Sequence, residues 1–142
     1  MASIHHETTL ELSAEEAWSA LRQVALAHRL FAGVLTEGWM DGDLRTVTFA
    51  NGMTVRERII DVNDQRRRVA YSVIEGTEMT HHNASMQVVP EGDGQSRFIW
   101  IADFLPDEAG EQMLPLIEAG TEALKRNLES GKFQAEALAR AD

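Results

Sequence analysis

From position 34 to position 105 the chain is a succession of short segments in which apolar and polar residues alternate, cut apart by turn signals. Alternation with a period of two marks a strand with one buried face. Six such segments stand at 34–40, 44–50, 53–62, 68–74, 79–89 and 96–105. Between them lie Asp41-Gly42-Asp43, Asn51-Gly52, Asn63-Asp64, Glu75-Gly76 and Pro90-Glu91-Gly92-Asp93-Gly94. Asn51-Gly52 is the pair expected of a two-residue type I′ hairpin. Six successive hairpin-connected strands make an antiparallel sheet, and little else can be built from them.

Such a sheet needs a cover for its apolar face, and the flanking sequence supplies one. Residues 3–12 alternate as a further strand. Ser13-Ala14-Glu15-Glu16 is a capping box that starts a helix at position 14, with Trp18 and Leu21 on its inner face. A second short helical piece is expected over 24–31. After the last strand, Pro106-Asp107 opens a long helix with Asp107 as its cap. Its apolar stripe is Met113, Leu116, Ile117, Gly120, Leu124 and Leu128, spaced by three and four. Pro115 should bend that helix or mark its first turn, and Gly131 should end or interrupt it. The tail beyond is expected to be helical or frayed. The result is an α+β chain of the length of one domain, 142 residues. A seven-stranded curved antiparallel sheet grips one long C-terminal helix, with two short helices after the first strand and space between sheet and helix.

Composition removes several functions. There is no cysteine, so disulfide scaffolds, thiol catalysis and zinc–cysteine sites are out. The net charge of −10 leaves no basic face for nucleic acid and disfavours anionic membranes. The arginine run Arg66-Arg67-Arg68 reads as a solvated strand end. No apolar run is long enough to span a membrane, and positions 1–7 have neither a basic nor an apolar signal-peptide region. The expected location is therefore the cytoplasm. His5-His6 and His81-His82 are adjacent pairs whose members point to opposite strand faces, so no metal site is expected.

The order of elements, with the run Gly42-Asp43-Leu44-Arg45-Thr46-Val47, then 55–64 and 68–76, resembles the START/Bet v1-like (SRPBCC) superfamily with its helix-grip fold. The closest flavour is its small single-domain polyketide cyclase/dehydrase-like group. Plant abscisic-acid receptors of that superfamily carry a similar run. Here the gate region around Asn51-Gly52 is shorter, and no lysine stands near Ala32-Gly33 to hold a hormone's carboxylate. Hormone reception is not implied. An apolar pocket between sheet and long helix is.

Glu57 shares strand parity with Met53, Val55 and Ile59, which places a carboxylate on the apolar face. There it must be paired, hydrated or neutral, unless a bulge turns it outward to its arginine neighbours. It is the candidate polar anchor of a pocket, or a general acid/base. Tyr71 and Val73 face inward on their strand, and Phe98, Trp100, Ala102 and Phe104 share a parity on the last one. The resemblance implies Asn83 and Ser85 as pocket residues. Alternation disagrees, because Ala84, Met86 and Val88 look like the buried set, and only a bulge would reconcile the two. Ile117, Gly120 and Leu124 on the helix stripe, with Asn127 beside them, complete the candidate ligand contacts. Glycine is costly inside a helix, so Gly120 marks either close packing or room for a ligand.

No cofactor is expected, and the expected partner is one small hydrophobic or aromatic ligand of lipid, polyketide or phenolic type, bound by a monomer or homodimer. The alternatives are a polyketide aromatase/cyclase-type enzyme using Glu57, and a protein-interaction module of chaperone-activator type.

Overall fold

The computed structural model describes residues 1–141. The strands are β1 (Ser3–Leu10), β2 (Leu35–Asp41), β3 (Leu44–Phe49), β4 (Thr54–Asn63), β5 (Arg68–Glu75), β6 (His81–Gly92) and β7 (Gln95–Leu105). They form one antiparallel sheet in the order β1-β7-β6-β5-β4-β3-β2. Each consecutive pair from β2 to β7 is thus joined directly, and β1 closes onto the far edge. The helices are α1 (Ala14–Leu21), α2 (Ala27–Leu30), α3 (Ala109–Glu129) and α4 (Lys132–Ala141).

Local chemistry explains most boundaries and corrects a few expectations. The Ser13 hydroxyl accepts the Glu16 amide at 3.1 Å and caps α1. Glu16 answers by accepting from that hydroxyl, not from the Ser13 amide, so the capping box is half made. The piece expected over 24–31 is a 3₁₀ turn, Val24–Leu26, running into α2. Asp107 does not cap α3: the helix begins after Glu108, and the Asp107 carboxylate takes the N-terminal ammonium at 2.9 Å. Pro115 lies within α3 on its exposed side. Gly131, at φ +79°, supplies the left-handed residue that ends the helix. The tail then folds back as α4 with Phe133 buried.

The hairpin at Asn51-Gly52 is not type I′, which requires positive φ at both central residues. Only Gly52 has it. The Gly52 amide closes a turn on the Phe49 carbonyl at 2.9 Å, and Asn51 Oδ1 accepts the Met53 amide at 2.9 Å. The loop therefore has three residues, with glycine in the left-handed position that follows a tight turn.

Register shifts between Arg56 and Glu57, and between Ile59 and Asp61, bend the β4–β5 ribbon. The first leaves Ile74 unpaired on β5 and the second leaves Ile60 unpaired on β4. Both isoleucines are consequently exposed. Phe98, Ala102 and Phe104 of β7 pack with Leu124 and Leu128 in the buried core.

Candidate functional site

Between the sheet and the first half of α3 lies a cavity in which about 90 Å³ is open to the centres of water-sized molecules. That is several times what one buried water requires. Inward-facing positions of β3, β4, β5 and β6 form its floor: Val47 and Phe49, Val55 and Glu57, Tyr71 and Val73, His82 and Met86. Trp100 of β7 and Phe31 after α2 form one wall, their rings 5.6 Å apart. Met113, Leu116, Ile117 and Gly120 of α3 form the roof. Met53, Thr77, Met79, Met113 and Leu116 are only half-buried and mark the mouth. The lining is overwhelmingly apolar, and its charged groups gather with Tyr71 at one end.

That end is built around a buried ion pair. Arg45 Nε donates to Glu57 Oε1 at 2.8 Å, with the two side chains 9% and 10% exposed. They meet because Arg45 and Glu57 are direct cross-strand partners on β3 and β4. Arg45 Nη1 also donates to the Val24 carbonyl at 3.0 Å, which ties the 3₁₀ turn to the sheet. The guanidinium lies 5.5 Å from the centre of the Tyr71 ring, a cation–π distance. Burial, reinforced by the Glu57 charge, raises the Tyr71 hydroxyl above its ordinary range, so it stays a neutral phenol. The indole N–H of Trp100 is close enough to influence that hydroxyl, yet it makes no well-formed hydrogen bond. His82 is buried beside Phe104, ring centres 4.6 Å apart. Burial, followed by the neighbouring His81, lowers its pKa to about 4 and leaves it uncharged at neutral pH.

Six of the ten sequence candidates border this cavity: Glu57, Tyr71, Val73, Trp100, Ile117 and Gly120. The bulge beside Glu57 takes its extra residue from β5, so Glu57 itself stays inward. The other four lie elsewhere. Asn83 and Ser85 are on the outer face of β6, as alternation indicated and against the family likeness. No bulge interrupts β6 between His81 and Pro90, and Asn83 Oδ1 accepts from the Ser72 hydroxyl at 2.6 Å out in solvent. Leu124 is buried in solid packing away from the cavity. Asn127 is buried too, but its amide donates to the carbonyls of Leu30 and Ala32 at 2.9 and 3.1 Å. It anchors the end of α2 and does not face the cavity.

Gly120 combines both readings. A Cβ there would stand 3.0 Å from Cζ3 and 3.3 Å from Cη2 of Trp100. The helix presses on the indole that walls the cavity. Arg45 is a charged lining residue absent from the sequence candidates, although it shares parity with Val47 and Phe49 on an otherwise apolar face.

Among the described residues no three His, Asp or Glu side chains converge on a metal site, and no helix is long and apolar enough to cross a membrane.

The comparisons agree with this geometry. A functionally uncharacterised protein from Bacillus thuringiensis superposes with a TM-score of 0.81 at 19% identity, over 89% of this chain and 98% of that one. Protein XoxI from Bacillus cereus gives 0.80 at 20% identity, over 90% and 96%. Norcoclaurine synthase from Thalictrum flavum, solved in complex with dopamine and hydroxybenzaldehyde, gives 0.69 at 23% identity, over 87% and 84%. At such identities the likeness is one of Bet v1-like fold. No curated protein matches the sequence. The family model described as polyketide cyclase/dehydrase and lipid transport matches residues 1–130, all seven strands and the gripping helix included. The chain belongs to that polyketide cyclase/dehydrase and lipid transport family.

Proposed function

We propose that the protein binds one small apolar or aromatic molecule in the cavity between the sheet and α3, with Glu57, Tyr71, Val73, Trp100, Ile117 and Gly120 among its contacts. The observation that carries this reading is the cavity itself: apolar walls, a half-buried mouth and a paired Arg45 and Glu57 beside Tyr71 at one end. Preformed pockets for small molecules have this character. The family description, which includes lipid transport, supports the same class of ligand. Titration with an uncharged fluorophore such as N-phenyl-1-naphthylamine should give saturable binding near one per chain. Val73→Phe, which fills the cavity from β5, should weaken it at least tenfold. Binding untouched by that change, or seen only in acid-expanded protein, would refute the reading.

A second reading is favoured by one observation. Proton-transfer chemistry needs more than one polar group in reach of a substrate, and Arg45, Glu57, Tyr71 and His82 all border this cavity. A cyclase acting on a poly-β-keto chain would use Glu57 to move protons and the Tyr71 phenol to stabilise an enolate oxygen. Turnover of such a chain, abolished by Glu57→Gln while its binding persists, would select this reading over a pure carrier.

A further inference from the structure

Resting on the ligand reading above, we propose that the cavity sorts its ligands by charge: it admits a neutral molecule carrying a hydroxyl and rejects carboxylates and ammonium ions at its polar end. Glu57 is the residue that sets this rule.

The cavity is electrically closed. Among the described residues Arg45 and Glu57 are its only charged lining residues, and they pair at 2.8 Å. The guanidinium is further engaged by the Val24 carbonyl and the Tyr71 ring, so little of its charge is left for a guest. His82 is held neutral by burial and Tyr71 remains a phenol. A carboxylate entering here would give up its water shell to meet an arginine already paired, and an ammonium ion would do so to meet a carboxylate already paired. The chain's net charge of −10 adds a long-range penalty for anions. A neutral hydroxyl meets none of these costs. Glu57 uses only Oε1 toward Arg45, and among the described residues its second oxygen receives no hydrogen bond. Oε2 is therefore the acceptor to which a ligand hydroxyl donates, while the rest of the molecule lies along the methionines of the mouth.

The test uses the full chain at pH 7 and three probes of one shape: 4-butylphenol, 4-butylbenzoate and 4-butylbenzylamine, the last two ionised. Their affinities are read by competition with the neutral fluorophore and by ligand-observed NMR. The phenol should bind at least tenfold more tightly than either ion. Glu57→Gln should free the Arg45 charge and raise the benzoate-to-phenol affinity ratio at least tenfold. Benzoate within threefold of phenol in the wild type overturns the rule, as does an unchanged benzoate-to-phenol ratio in folded Glu57→Gln. The wild-type ratio decides the matter should the variant not fold. If all three probes bind alike, the ligand reading stands and the charge rule alone fails. If neither the fluorophore nor any probe binds, both fall together.

Discussion

The two halves of α3 carry one continuous apolar stripe and yet meet different fates. The first half, Met113 to Gly120, roofs a cavity. The second half, around Leu124, Asn127 and Leu128, is packed solid. The difference does not lie in the helix, whose spacing is the same throughout. It lies in what comes to meet it. The second half lies against β1, where Lys125 donates to the Thr9 carbonyl, is tied to the end of α2 by Asn127 and shares the buried core with Phe133 of α4. The first half faces the β4–β5 ribbon across the cavity, where Ile60 and Ile74 interrupt the strand pairing. A stripe therefore announces burial, and the opposing surface decides whether that burial is against protein or against a guest.

The contrast can be broken most forcefully at the open end. Glu57→Ala should lower unfolding free energy by about 3–5 kcal/mol, because it strands the Arg45 charge in a buried site. Glu57→Gln should cost clearly less, and urea denaturation of both variants compares them. At the closed end, Leu124→Ala should cost about 3 kcal/mol through the void it leaves, with fluorophore binding unchanged. Its counterpart Leu116→Ala, at the half-buried mouth, should cost under about 1 kcal/mol and weaken binding several fold. A loss of binding in the first, or none in the second, would erase the distinction between the halves.

His82 sharpens the comparison through pH. Its pKa is about 4 in the folded chain and about 6.5 when unfolded. As pH falls below about 6.5 the unfolded chain takes up the proton first, so stability present at neutral pH is lost as pH falls toward 4. Between pH 7 and pH 5 the loss should be on the order of 2 kcal/mol. His82→Phe should remove that component from a series of chemical melts. Gly120, where the two halves meet, gives the smallest effect. In Gly120→Ala the gain in helix propensity, about 0.5–1 kcal/mol, is set against a methyl 3.0 Å from the Trp100 ring. Since that indole borders the cavity, it yields toward it: stability should stay within about 0.5 kcal/mol of wild type, while fluorophore affinity falls several fold. A clear destabilisation with unchanged binding would mean that Trp100 cannot move.

Much of this was legible in the residues alone. The strand–turn punctuation from 34 to 105 and the stripe after Pro106 identified the sheet, its antiparallel order and the gripping helix. Parity placed Glu57, Tyr71, Val73 and Trp100 on the inner face, and it was a better guide to Asn83 and Ser85 than the family likeness was. What escaped had one physical character. The turn at Asn51-Gly52, the cap at Asp107 and the fate of Asn127 each depend on which partner a backbone or side-chain group finds, and several partners were chemically acceptable. Arg45 escaped because its parity was visible but its register against Glu57 was not.

The sequence by itself determined which residues face inward, because side-chain direction alternates within a strand and repeats within a helix whatever lies opposite. It thereby determined the architecture and the presence of a carboxylate on an apolar wall. Only the tertiary structure decided that this carboxylate is paired, that the cavity stops short of Leu124 and that Asn127 serves the end of α2. Those outcomes turn on cross-strand register, on two bulges and on the fold-back of α4, and each depends on how segments distant in sequence share one volume.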